Sequence, residues 1–145
     1  MTTLGVFRDD VYNITGTLPM VKYTSDALAS GTLTASRITG ATEVYYKNSA
    51  ATALTTDTAV NIIAAIASAV QTAAPLLQPT NASLQGVNYV LYIWTTAGGL
   101  TITAGTGVTI TGTATVATGV ERQYLVTVTS PTTVTLQDLG GAAVT

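Results

Sequence analysis

Few side chains in this sequence are equipped for chemistry. Seven carboxylates, five cations, seven tyrosines and one tryptophan are spread over 145 residues, with no His and no Cys. The missing thiol rules out disulfides, a cysteine nucleophile and a thiolate metal site. The missing imidazole rules out a Ser-His-Asp triad and a histidine base or ligand. Carboxylates are what remain. Asp9 and Asp10 offer adjacent oxygen ligands, but a Ca²⁺ site takes about six to eight, so the pair reads as a solvated loop. Asp26, Glu43, Asp57, Glu121 and Asp138 are far apart in sequence. A glycosidase-type acid pair would have to assemble in space, and nothing in the sequence selects one.

Other motifs reduce to simpler readings. The block Gly105-Thr-Gly-Val-Thr-Ile-Thr-Gly112 resembles a phosphate loop only in its glycines. Ile110 stands where a dinucleotide fingerprint needs Gly, no helix is expected after it, and the P-loop lysine is missing. Hairpin turns are the expectation there. Asn13-Ile-Thr15 and Asn81-Ala-Ser83 match a glycosylation acceptor, a match that a Thr-rich chain produces readily. Arg122, beside Glu121, is the only cation after Lys47. It reads as part of an exposed turn, with an intersubunit bond to a carboxylate or carbonyl as the alternative. Tyr89, Tyr92, Trp94 and Tyr124 fall in expected strands, where core packing is the default. Tyr45 and Tyr46, with Lys47, are the expected exposed aromatic contact, since Tyr is enriched at interfaces.

The composition limits the partners. Charged residues make up 8% of the chain and the net charge is −2, against about 25% charged in an ordinary domain. With a pI near 4.6 and five scattered cations, no electrostatic footprint for nucleic acid forms. Disorder is not expected, because 47% of the residues are hydrophobic. Thr, Ala and Gly fill 65 of the 145 positions, and residues 58–120 carry no charge at all. A lone small domain normally scatters charge for solubility, so much of that stretch is expected to lie under another chain. Thr hydroxyls solvating a β surface are the alternative.

The elements follow from periodicity. Residues 1–30, with Gly5, Gly16, Pro19 and no secretory pattern, read as an N-terminal arm or irregular segment. Residues 31–145 read as one β-rich domain. Residues 33–47 look like strand material, and 48–56 like a loop. A helix is expected over about 57–74, capped by Thr56 or Asp57 and stopped at Pro75. Ile62, Ile66 and Val70 form its i, i+4 stripe. Residues 58–77 are long enough to cross a bilayer, but Pro75, Asn61, Ser68 and Gln71 and the absence of flanking cations favour a helix packed on a sheet. Residues 87–94 (VNYVLYIW) are apolar on both alternating faces, as in a buried central strand. Short period-two strands follow near 100–103, 108–111, 113–116, 123–129 and 133–137. The fold expected is mainly β: a small β-sandwich or jelly-roll-like barrel with one α-helix packed on it.

From the helix onward the sequence resembles a pattern that recurs in tailed-bacteriophage virion proteins. Its parts are Thr56-Asp-Thr-Ala59, a central strand from Gly86, Leu100-Thr-Ile-Thr-Ala-Gly-Thr-Gly-Val-Thr-Ile-Thr-Gly112, Arg122-Gln-Tyr-Leu-Val-Thr-Val-Thr129 and Thr133-Val-Thr-Leu-Gln137. The resemblance covers about two-thirds of the chain. It implies a capsid decoration (cement) protein on the outer surface of a phage head, or a head-fibre or tail component. It implies no active site and no cofactor. The expectation is adhesive: a trimer that sits across major capsid protein subunits, with no nucleic-acid or membrane partner. Phe7, Arg8, Asp9 and Asp10 are the expected shell contact. The stripe Ile62, Ile66 and Val70 is the expected self-association surface. A carbohydrate-binding module, using exposed tyrosines, and an enzyme working with carboxylates alone are the competing expectations.

Overall fold

The computed structural model describes residues 20–50 and 53–144. Among them the chain is mainly β, with two helices. In chain order the elements are β1 (Val21–Asp26), β2 (Ser30–Leu33), α1 (Ala35–Ile38), β3 (Glu43–Asn48), β4 (Ala53–Thr56), α2 (Ala59–Ala73), β5 (Asn88–Thr95), β6 (Leu100–Thr103), β7 (Val108–Thr111), β8 (Thr115–Val116), β9 (Val120–Ser130) and β10 (Thr133–Ala143). They form a six-stranded sheet in the order β1-β3-β5-β9-β10-β7 and a four-stranded sheet in the order β2-β4-β6-β8.

The chain winds as a coil. From β1 to β6 successive strands alternate between the large and the small sheet, so that β1, β3 and β5 lie parallel in one sheet and β2, β4 and β6 lie parallel in the other. Helices α1 and α2 are the return segments, as parallel neighbours require long connections. The chain then turns back: β9 pairs antiparallel with β5 and β10 with β9. The result is the sandwich of the two expected architectures, wound in parallel turns instead of the antiparallel Greek keys of a jelly roll.

Period-two alternation builds the core. In β3, Val44, Tyr46 and Asn48 are buried while Glu43, Tyr45 and Lys47 are not. In β5 the inward set is Tyr89, Leu91, Ile93 and Thr95. Of these, Val44, Tyr46, Tyr89, Leu91 and Ile93 join Leu33, Leu54, Leu100, Ile102 and Val116 from the small sheet, and Ile62, Ile63 and Ile66 from α2, in a single buried cluster.

The expected helix forms, with Thr58 as its cap: Thr58 Oγ1 accepts a hydrogen bond from the Asn61 amide. Asp57 serves two helices at once, accepting from the Ala35 amide at the start of α1 and from the Thr58 amide and Asn61 Nδ2 at α2. Three differences from the sequence reading are local. Residues 20–30 belong to the sandwich, because Val21–Asp26 pairs in register with Glu43–Asn48. The stretch 33–47 is broken by α1, whose Ala35 and Ile38 are buried. The stretch 48–56 ends in β4, which pairs with β2 and β6.

Candidate functional site: an aromatic outer sheet face

The outer face of the large sheet is where aromatic chemistry collects. Parallel register sets Tyr23, Tyr45 and Tyr92 side by side on β1, β3 and β5. Tyr23 and Tyr45 stack with centroids 4.8 Å apart, and Tyr45 and Tyr92 with centroids 4.3 Å apart and ring planes within 3°. Next to this ladder Lys47 Nζ lies 4.7 Å from the centroid of the Trp94 ring, a cation–π contact. Glu121 is the β9 residue paired with Trp94. Together with Val144 these residues line a groove of about 430 Å³. The Trp94 Nε1 hydrogen is shielded from solvent and has no acceptor among the described residues.

The ladder's electrostatics are those of a neutral surface. Burial, then the neighbouring Tyr92 hydroxyl and the Glu43 and Glu121 carboxylates, push the Tyr45 hydroxyl up to about 12. It therefore stays protonated across the physiological range. Face-to-face stacking also decides which recognition is open. Tyr45 gives both ring faces to its neighbours and Trp94 gives one to Lys47, so the central ring of the ladder has no face left for a sugar to stack on. A sugar platform needs open ring faces, which makes the ladder better suited to protein contact.

The placement of the expected site residues divides. Tyr45 is on the outer face. Tyr46 is not: it points inward at 1% exposure, and its hydroxyl donates to Asp26 Oδ1 at 2.8 Å. Consecutive strand residues face opposite ways, so only one of the pair can be exposed. Tyr89 and Tyr124 are buried, whereas Tyr92 and Trp94 lie on the outer face and not in the core. The stripe expected to self-associate is instead used within the chain: Ile62 is 0% and Ile66 5% exposed, and Val70 packs against the same cluster. Arg122 lies in β9 and not in an exposed turn, and its Nη1 donates to both oxygens of Asp138, at 2.8 and 2.9 Å. Phe7, Arg8, Asp9 and Asp10 lie outside the described residues. Tyr23 and Glu121 escaped the sequence reading, whereas Lys47 stands at the groove beside Tyr45, where an exposed contact was expected. The regularity behind Tyr23, a Tyr at the third position of each of the paired segments that begin at Val21, Glu43 and Val90, shows only once the parallel register is known.

The three described aspartates are engaged in structure. Asp26 closes the corner between the sheets, accepting from the Leu28 amide, Arg37 Nε, the Tyr46 hydroxyl and Asn48 Nδ2. Asp138 accepts from Arg122 and from the Gly140 and Thr113 amides. Among the described residues no group of three or more Asp or Glu is placed to hold a metal ion. No described helix is long and apolar enough to cross a membrane.

These acids make stability depend on pH. Burial raises the Asp138 carboxyl, but the Gly140 amide, the Arg122 guanidinium and the Thr113 amide outweigh it and bring it down to about 2. Asp26 and Asp57 are held below their ordinary value in the same way, with burial opposing hydrogen bonds from Arg37, Tyr46 and Leu28 in one case and from Ala35, Asn61 and Thr58 in the other. A carboxyl depressed in the folded state stabilises the fold above its unfolded value near about 4, and that stabilisation is lost as pH falls through the folded value. The urea midpoint is therefore expected to be flat from about pH 7 to 5 and to fall between about pH 4 and 2. Asp138→Asn should lower the neutral plateau and shrink the acid drop. An unchanged acid drop in that variant would remove Asp138 from the account.

Compared with known proteins, the chain matches no family model, no curated protein and no solved structure.

Proposed function

We propose that this chain is a virion structural protein of a tailed bacteriophage, and that it acts as a capsid decoration protein. It self-associates and binds across major capsid protein subunits on the outer surface of the head. The observation that carries the reading is the outward ladder Tyr23, Tyr45 and Tyr92 with Lys47 and Trp94 beside it. A concentrated Tyr/Trp surface on a charge-poor domain suits protein docking, because such side chains bring large contact area at low entropic cost. A ligand that binds only the assembled lattice stabilises it by mass action. Several equivalent copies in one oligomer add avidity. Few ion pairs are available to screen, so docking depends less on salt than a charged interface would. Self-association falls to the exposed apolar groups Val60, Leu76 and Leu77 on and after α2, in place of the buried stripe.

The test uses heads of the phage that encodes the chain, prepared without it and then mixed with purified protein. Binding at a fixed ratio to the capsid subunit, and a higher temperature of head disruption, are expected. Lys47→Glu and Tyr92→Ala should each weaken binding by about tenfold or more while the free protein keeps its fold. Absence from heads but presence on tails or fibres would replace decoration by the fibre or tail reading. Heads that bind no protein at all would end the proposal.

A further inference from the structure

The outer face of the large sheet is complementary to itself. Strand register lays side chains across it in two neighbouring rows. From β1 to β10 one row runs Tyr23, Tyr45, Tyr92, Gln123 and Gly140, and the other runs Ser25, Lys47, Trp94, Glu121 and Ala142. Both rows are graded. In the first, bulk falls from stacked rings on the β1 side to a glycine on the β10 side, where a methyl group on Gly140 would meet nothing within 4 Å. In the second, a cation and a carboxylate stand one strand to either side of Trp94. Among the described residues neither Lys47 nor Glu121 belongs to an ion pair, the pairs there being Arg37 with Asp26 and Arg122 with Asp138. Tyr23, at the tall end, is 76% exposed.

We propose that this face pairs with the same face of a second copy, about a two-fold axis that runs along β5. Such an axis keeps β5 over its own copy, carries β3 onto β9 and carries β1 onto β10. Lys47 of each copy then meets Glu121 of the other, twice in each pair, as an isologous contact requires. Tyr23 of each copy comes down over Gly140 of the other, so the tall half of one face fills the low half of its partner. An axis running across the strands would instead set Lys47 on Lys47 and Glu121 on Glu121, which like-charge repulsion disfavours. Sheets packed face to face lie about 10 Å apart, a gap of the depth that tyrosine and tryptophan side chains fill, and burying such rings is what gives an interface its energy. This contact is separate from the one assigned to Val60, Leu76 and Leu77, and it does not rest on the shell-binding reading. Where both hold, the second copy caps the docking face of the free protein and a shell has to displace it.

Sedimentation equilibrium of the purified full chain tests the pairing without any capsid present. The unmodified protein should show a reversible doubling of mass with concentration. Lys47→Glu and Glu121→Lys lie on the outer face, clear of the buried cluster, and each sets like charges against each other at both contacts of a pair. Each should raise the dissociation constant of the doubling step by about tenfold or more. Mixed in equal amounts, the two variants carry opposite charges at both contacts, so the mixture should regain the step that each alone has lost. The double variant Lys47→Glu with Glu121→Lys should regain it as well. A protein that never doubles in mass overturns the proposal, as do single variants that pair undiminished. Weakened variants that recover neither on mixing nor in the double variant overturn it too, since loss without recovery would mean that Lys47 and Glu121 do not meet.

Discussion

Ile62→Asp is expected to unfold the protein, or to leave it with only a small fraction of its stability. Ile62 is 0% exposed in the middle of the single buried cluster, one helical turn from Ile66. A carboxylate there loses its hydration without gaining a donor, at a cost of about 4 kcal/mol or more. That is a large part of the roughly 5–15 kcal/mol that holds a typical domain together. Ser68→Asp, on the same helix but at an exposed residue outside the proposed self-association surface, provides the contrast. It exchanges one polar residue for another on the solvent side of α2 and should change stability by less than about 0.5 kcal/mol. Urea unfolding followed by circular dichroism measures both. If Ile62→Asp kept its midpoint and lost only its oligomeric state, the stripe would be a seam between subunits after all.

That contrast marks how far the sequence can be read. The i, i+4 spacing of Ile62, Ile66 and Val70 correctly announces an apolar helix face, and Pro75 correctly limits it, whereas the cap falls on Thr58 and not on the expected Thr56 or Asp57. Spacing says that a face is covered but not by what, and here the cover is the chain's own sandwich. The strand residues 87–94 pose the same problem more sharply. Both alternating faces are apolar, so local pattern assigns Tyr92 and Trp94 together to one face without choosing the inside. The choice depends on where α2 and the small sheet lie, which is a tertiary fact. The tyrosine ladder is further out of reach, because it needs the long-range parallel register of β1, β3 and β5. Helix α1 is short and carries no apolar periodicity of its own. It stands because Ile38 is buried and because Asp57, from a later segment, accepts a hydrogen bond from its first amide.

The glycine block, legible as a motif but not as a structure, gives the second large effect. Gly105→Ala is expected to destabilise the fold by about 3 kcal/mol, the upper end of what overpacking costs. The loop 104–107 joins β6 of the small sheet to β7 of the large one, so it is a crossing and not the hairpin turn expected from its glycines. It docks on the corner where β4 meets α2. The Gly105 amide donates to Thr56 Oγ1 at 2.8 Å, and the Thr106 carbonyl accepts from the Ala59 amide at 2.9 Å. A methyl group on Gly105 would stand 2.4 Å from the Thr56 carbonyl oxygen and 2.6 Å from that of Asp57. Both are backbone atoms at the entry to a helix, so neither can rotate away. Gly107 adds a second constraint, with φ +78° and a would-be methyl 2.7 Å from the Thr132 carbonyl oxygen. The helix end that a phosphate loop would offer to a ligand is here closed by the protein's own carbonyl and the Thr58 side chain. Gly98→Ala serves as the control, since it meets nothing within 4 Å. It should be neutral or gain up to about 1 kcal/mol from a less flexible unfolded chain. Equal thermal midpoints for the two alanine variants would mean that the loop does not pack against the helix entry as described, and that these glycines serve only to turn the chain.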